Sequence, residues 1–181
     1  MVVRRVEGGG HVRVRTVVAA ATAGVTAVLL TACEGQPGAA AIVDGEVISQ
    51  SYVATAQSDL VEQFPGVGPQ IVVQMLVLAP FVHGVSADQG AALSMQDVRD
   101  SVTVNVGPEA ADQLGDEAFE VLRADLALQQ LFAENDQDAV ITELQSRFAA
   151  AEIQVNPRYG RFSAEAGGIE AIQLDWIRYV E

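Results

Sequence analysis

Two short strand patterns lie at opposite ends of a long helical stretch, and they constrain the fold more than any other feature. Residues 41–43 are apolar and run into Asp44-Gly45, a pair that favours positive φ and a tight turn. Residues 152–155 alternate between polar and apolar side chains, as strands do. Strands this short are not stable alone, and neither segment has another evident strand to pair with. We therefore predict a mainly α fold whose two ends are joined by these paired strands.

The stretch between the strands carries the start and stop signals of several helices. Ser49 or Ser51 can cap the first helix. Residues 71–82 are apolar apart from one glutamine, and they predict a buried core helix, or else a strand, that Pro80 interrupts. This run is too short to span a membrane. The further signals are a capping box at Ser94 and Asp97, a break at Gly107-Pro108, a long helix from Asp116 with a solvated face at Glu120, Arg123, Gln130 and Glu134, and a last helix capped by Asp136 or Asp138.

The charge of the chain excludes some partners and some chemistry. Four of the ten basic residues precede residue 33, and no lysine occurs anywhere. From residue 33 onward, six arginines stand against 23 acidic residues, which gives this part a net charge of −17. Such a field repels phosphate backbones, so nucleic-acid binding is not expected. Without lysine, neither Schiff-base chemistry nor a Walker A phosphate loop is possible.

The amino terminus has the layout of an export signal. A basic region comes first, with Arg4, Arg5, Arg13 and Arg15, and an uncharged run of fourteen residues follows at 17–30. That run is shorter than the ~20 residues of a membrane-spanning helix and matches the core of a signal peptide. It ends beside the only cysteine of the chain, so no internal disulfide can form.

The residues Leu30-Thr31-Ala32-Cys33 resemble a bacterial lipobox. In that motif the cysteine receives a thioether-linked diacylglycerol, and the peptide is cut before it. We therefore predict a signal peptide at residues 1–32 and a mature protein held by the lipid on Cys33 at the extracytoplasmic face of the cell membrane. Two acyl chains anchor a protein stably, at about 0.8 kcal/mol per buried CH2. The alternative is an ordinary secretory signal that is cut near residues 39–41.

Two segments at the ends of the helical region resemble the SurA-like N-terminal chaperone domain, in its actinobacterial lipoprotein branch. Residues 40–49, with Asp44-Gly45 in the turn, match that family's opening strand, turn and helix start. Residues 155–162 match its closing strand. The matching motif there is Asn156, Pro157, Arg158, Tyr159 and Gly160. The helices between match in layout, so the resemblance covers residues 40–163.

The resemblance implies a domain division and a function. The division is a signal peptide at 1–32, a flexible tether at 33–40, a SurA N-terminal-like helical domain at 41–163, and a weakly structured tail at 164–181 with an apolar patch at Leu174, Trp176 and Ile177. The implied function is a cradle of helices that binds extended apolar segments of unfolded proteins. SurA and PrsA combine such a domain with a parvulin prolyl isomerase domain, for which the 18 residues after residue 163 are too few. We therefore expect binding without catalysis and without a cofactor.

Some polar residues allow both a structural and a functional interpretation. Arg158 and Tyr159 either support the fold, with Arg158 paired to a carboxylate and Tyr159 packed on the helices, or form a recognition surface for a peptide. His83 is the only histidine after residue 33. Its role is either structural, at a helix end or in the core, or catalytic. A catalytic role would have to work without a second histidine and without a free thiol. The acidic residues at the start of the last helix lack the glycine and the spacing of a calcium loop, so no metal site is predicted.

Two functions from different classes are compatible with the sequence. The first is a lipid-anchored chaperone-like protein that binds apolar segments of exported polypeptides, with its negative charge keeping the complex soluble. The second is a structural or interaction lipoprotein that docks on one envelope partner or on itself. An exposed apolar cleft of several hundred Å2 would favour the first function, and a closed surface would favour the second.

The lipobox gives a direct test. Cys33→Ser is expected to move the protein from the membrane fraction to the soluble fraction, because a serine hydroxyl does not accept the thioether-linked lipid. The measurement is fractionation of cells followed by immunoblotting of both fractions. A variant that is cleaved normally and still sediments with the membrane would contradict the prediction of a lipid anchor.

Overall fold

The fold is known from a computed structural model, which describes residues 36–172. The predicted signal peptide, the lipobox residues Leu30, Thr31, Ala32 and Cys33, and the apolar patch at Leu174, Trp176 and Ile177 lie outside these residues. The predicted mainly α fold is confirmed. In chain order the elements are β1 (Ala39–Val43), β2 (Glu46–Ser49), α1 (Gln50–Gln63), α2 (Pro69–Asp88), α3 (Met95–Val106), α4 (Pro108–Ala111), α5 (Asp116–Glu134), α6 (Gln137–Ala150), β3 (Ile153–Val155), β4 (Arg161–Ser163) and β5 (Gly168–Glu170).

The predicted pairing of the two ends is confirmed. β1 and β3 are antiparallel neighbours, with Ala41 opposite Val155 and Val43 opposite Ile153. The expectation that β1 has no other partner is wrong, because β2 pairs with its opposite edge and the sheet order is β2-β1-β3. The turn between β1 and β2 has positive φ at both central residues, 50° at Asp44 and 85° at Gly45. That geometry suits the two-residue loop of a β-hairpin. The Asp-Gly pair therefore connects the two strands of a hairpin and does not simply end a single strand.

Most of the helix boundaries follow the local signals. Ser49 caps α1 by accepting a hydrogen bond from the Tyr52 N–H at 3.1 Å. Ser94 and Asp97 form the predicted capping box at the start of α3, and Asp136 caps α6. The chain breaks at Gly107, as predicted, and Pro108 begins α4. These signals act within one helical turn, which is why the sequence alone locates them.

The central helix, α2, differs from its prediction. Pro80 does not interrupt it, and the helix runs for 20 residues. A proline inside a helix removes one hydrogen bond and costs about 3 kcal/mol, which burial of α2 among α1, α5, α6 and β1 offsets. The expectation that this segment is too short to span a membrane is wrong by length, because α2 is the one described helix that is long and apolar enough to cross one. Core helices of soluble proteins share these properties, and 56% of the most apolar stretch of α2 is buried in the fold.

The folded region includes more residues at both ends of the chain than the sequence suggested. Ala39 and Ala40, placed in the flexible tether, belong to β1 and are buried. Beyond residue 163, β5 pairs with β4 and buries Ile169 in the core, so the expectation of a weakly structured tail is wrong as far as Glu170. Phe148 of α6 joins this hairpin to α2, because its ring lies edge-on to Phe81 at 5.1 Å and to Phe162 at 5.4 Å between centroids.

Two glycines of this region make a matched pair for a test of stability. Gly160 has φ +126°, and an added Cβ would overlap the Glu170 carbonyl and lie 2.6 Å from the Ile169 side chain. Gly167 also has positive φ, +68°, but an added Cβ would meet open space. We expect Gly160→Ala to lower the free energy of unfolding by about 3 kcal/mol or more, and Gly167→Ala by about 1 to 2 kcal/mol. Urea unfolding of both variants measures the two free energies of unfolding. Equal losses of this free energy would contradict the close approach of neighbouring atoms to Gly160.

Candidate functional site

A cleft of about 540 Å3 opens between the β1–β2 hairpin and helices α1, α2 and α5. Its volume lies within the range of ligand-binding pockets, about 300–1,000 Å3. Five elements contribute to its wall, namely β1, β2, α1, α2 and α5. The lining residues are Val43, Asp44, Glu46, Val47, Ile48, Ser49, Tyr52, Leu76, Ala79, Pro80, His83 and Glu120.

The hairpin forms one side of the cleft. All four residues of β2 line it, because the turn at Asp44-Gly45 folds β2 back along β1. Ser49 ends β2 and also caps α1, so the first turn of α1 begins at the cleft and places Tyr52 in its wall. The sequence signal for β2 was the apolar pair Val47-Ile48, one residue after the Asp-Gly turn, a pattern typical of a second hairpin strand.

One face of α2 forms the opposite side. Leu76, Ala79, Pro80 and His83 are three or four residues apart, so they lie on the same face of the helix. Pro80 has no N–H, and the Leu76 carbonyl therefore lacks the donor that a helix normally supplies four residues later. The cleft wall formed by α2 is therefore mainly apolar, with His83 as its polar member.

His83 lies in the cleft wall inside α2, and not at the end of the helix. Its side chain is 19% exposed, and its Nε2 atom has no hydrogen-bond partner among residues 36–172. Its Nδ1 atom lies 3.6 Å from Glu120 Oε1, which is longer than a hydrogen bond. Burial, together with the nearby positive charge of Arg123, lowers the pKa of His83 to about 4. The imidazole is therefore neutral at pH 7.

Glu120 and Arg123 are not on a fully solvated face of α5, as the sequence predicted. Their side chains are 29% and 27% exposed, and Glu120 reaches the cleft. Arg123 Nη1 lies 3.6 Å from Glu120 Oε2, and its Nε donates to the Leu93 carbonyl at 3.0 Å. The prediction failed because α5 packs against α1, α2 and α3 together, which leaves only a narrow strip of the helix in solvent. Glu134, at its end, is exposed as predicted.

Tyr52 adds an aromatic ring and a hydroxyl to the cleft. Burial is the main cause that raises its pKa above the usual value, and the negative charges of Glu120, Glu117 and Asp116 add to it. The phenol is therefore protonated at neutral pH. Its hydroxyl makes no hydrogen bond to another residue between 36 and 172.

The motif that suggested the family is divided between two places. Asp44 lies at the cleft, where its carboxylate also accepts a hydrogen bond from the Glu152 N–H at 2.8 Å. Residues 156–160 do not line the cleft. Asn156 instead extends the pairing of β1 and β3, because its N–H donates to the Ala40 carbonyl at 2.9 Å and its side-chain amide to the Ala39 carbonyl at 3.1 Å.

Arg158 and Tyr159 have the structural role that the sequence allowed. Tyr159 is buried in the core, as predicted. Among residues 36–172, Arg158 pairs with no carboxylate; its Nη1 donates to the Gln50 amide oxygen at 3.1 Å. Its guanidinium lies 5.2 Å from the centre of the Tyr159 ring. With Pro157 and Gly160, these two residues border a second, more open hollow that also contains Gln70.

Comparison with known proteins adds no relatives. No family model, no curated protein and no solved structure matches this chain. The resemblance of residues 40–163 to the SurA N-terminal domain therefore stays a prediction from the two sequence segments. Within residues 36–172, no three His, Cys, Asp or Glu side chains come together to hold a metal ion. The Ser49 hydroxyl, at the edge of the cleft, accepts a hydrogen bond from the Tyr52 N–H as the cap of α1.

Because His83 is neutral in the folded protein at pH 7, we predict that the stability of the protein depends on pH. Its pKa is about 4 in the folded protein and about 6.5 in an unfolded chain. Between these values the unfolded chain binds the extra proton, so the free energy of unfolding falls as the pH falls, by at most about 1.4 kcal/mol per pH unit. His83→Gln is neutral at every pH and is expected to flatten this slope. Unfolding titrations of both proteins across this range measure it, and parallel curves would contradict a neutral His83.

Proposed function

We propose that the protein is a lipid-anchored extracytoplasmic chaperone-like protein that binds apolar segments of exported polypeptides without catalysis. The observation that carries the proposal is the cleft beside β2, because it exposes apolar walls along a strand edge. Full burial of one aliphatic or aromatic side chain contributes about 1.5 to 3 kcal/mol. A few such contacts give binding that is reversible, as a chaperone requires.

The dimensions of the cleft define how much of a client it holds. Its apolar wall consists of side chains from β2, such as Val47 and Ile48, and from α2, such as Leu76 and Ala79. About 540 Å3 accommodates a few side chains of an extended segment, and not a folded surface. The client is thus a short unfolded stretch, which agrees with the function that the SurA-like resemblance implies.

The proposed anchor puts the cleft close to the membrane. From Cys33 to Ala39, the first residue of β1, an extended chain covers at most about 20 Å. Because β1 is directly joined to β2, the cleft lies within reach of polypeptides as they leave the membrane. The net charge of −17 from residue 33 onward repels anionic lipid headgroups. This repulsion keeps the folded domain off the anionic membrane surface.

The alternative, docking on one envelope partner, has one observation in its favour. The apolar surface that the cleft exposes is smaller than the several hundred Å2 that would favour a chaperone. The apolar side chains that are exposed elsewhere are single residues on separate elements. They are Val61 on α1, Ile71 on α2, Val104 on α3, Ile141 on α6 and Ile172 after β5. Crosslinking in intact cells separates the two functions, because a chaperone captures many unrelated unfolded proteins and a docking protein captures one stoichiometric partner.

A pair of exposed valines tests the role of the cleft. Val47 is 41% exposed and lines it, whereas Val104 is 85% exposed on α3 and does not. We expect the full-length protein to slow aggregation of an unfolded polypeptide. Val47→Asp is expected to weaken this effect about ten-fold, which corresponds to about 1.4 kcal/mol of lost apolar contact, and Val104→Asp to leave it unchanged.

The measurement is light scattering of an aggregating client at increasing concentrations of each variant. Circular dichroism of both variants confirms that the added charge leaves the fold intact. If Val47→Asp and Val104→Asp suppress aggregation equally well, the cleft is not the client site. If the protein without substitutions does not slow aggregation at all, the result favours the docking function over the chaperone function.

A further inference from the structure

The outer strand of the sheet leaves one backbone edge unpaired. In the order β2-β1-β3, β2 has a single strand neighbour within the described residues, and all four of its residues line the cleft. An unpaired edge beside a pocket is the geometry in which an extended peptide adds as a further strand. Backbone bonds then supply affinity, and alternate side chains enter the pocket.

The charge of the cleft indicates which side chain enters. Three of its lining residues are acidic, Asp44, Glu46 and Glu120, and none is lysine or arginine. Arg123 offsets part of the charge of Glu120 from outside the cleft wall. His83 contributes no positive charge at pH 7. The cleft is therefore negative overall, and it favours a cation over a neutral or acidic group.

The apolar part of the cleft suits the stem of a basic side chain. Arginine and lysine bury a methylene chain along apolar surface while the charged head stays among polar groups. Leu76, Ala79 and Pro80 offer such a surface. The charged head then has carboxylates to pair with and the ring of Tyr52 for a cation–π contact.

We propose that the cleft selects extended segments that carry an arginine or a lysine, whose backbone pairs with the free edge of β2 and whose cationic side chain occupies the cleft between Glu46 and Glu120. This inference rests on the proposed function, since it specifies which segments of a client bind. It differs from that function by requiring a charge in addition to apolar contacts.

Matched peptides test the proposal with the full-length protein in detergent. Each is an extended, fluorescently labelled peptide of alternating apolar and polar residues, with a central arginine, citrulline or glutamate. Citrulline has nearly the shape of arginine without the charge. We expect the arginine peptide to bind about ten-fold more tightly than the citrulline peptide and the glutamate peptide to bind most weakly. This preference should decrease as salt screens the carboxylates.

Variants of the protein separate the cleft from the overall negative charge. Glu46→Gln with Glu120→Gln should remove most of the preference for arginine over citrulline. Glu109→Gln, on α4 and outside the cleft, should keep it. N-methylation of the peptide at residues whose N–H faces β2 should abolish binding, whereas methylation of the neighbouring residues should not.

Each outcome has a distinct meaning. Equal binding of the arginine and citrulline peptides overturns the charge selection and leaves the proposed chaperone function in place. A preference that persists in the double variant also overturns it, because the overall charge of the protein then explains the effect. Binding that is insensitive to N-methylation overturns the pairing with β2. If no peptide binds and aggregation is not slowed, the proposed function fails as well.

Discussion

The pairing of β1 with both of its neighbours is the interaction on which the rest of the structure depends. β1 is the central strand, and Ala40 and Ala41 on it are almost completely buried. One edge holds β3, which follows the six helices described between residues 36 and 172, so this edge closes those helices into a single domain. The other edge holds β2 and with it one wall of the cleft. Closure of so long a segment has an entropic cost, and the buried core offsets it.

The features that the sequence predicted are mostly local ones. The turn at Asp44-Gly45 and the caps at Ser94 and Asp136 each depend on a few consecutive residues, and all three form as expected. The pairing of β1 with β3 is the exception, because it joins distant segments. It was predictable since both strands are too short to be stable alone.

The features that the sequence missed are those that depend on how elements pack. Glu120 was assigned to solvent because the other residues on that face of α5 are polar. Three neighbouring helices pack against α5, however, and Glu120 lines the cleft between them and the hairpin. Arg158 was expected to find a carboxylate, but the turn after β3 brings it to Gln50. Pro80 was expected to interrupt α2. Burial of the helix on several sides made its lost hydrogen bond tolerable, and no pattern within the helix itself reveals that compensation.

The position of β3 in the chain has a consequence for how the protein is delivered. By the proposed export route, the chain would cross the membrane amino terminus first, so β1 and the helices would be outside while Ile153–Val155 are still to come. During that interval one edge of an apolar strand is unpaired, and such an edge is a template for pairing with other chains. Contacts between residues far apart in sequence also slow folding. Until β3 is available, the proposed chaperone would itself be an incompletely folded chain with an exposed strand edge. At that stage it would need the same protection from aggregation that it is proposed to give other proteins.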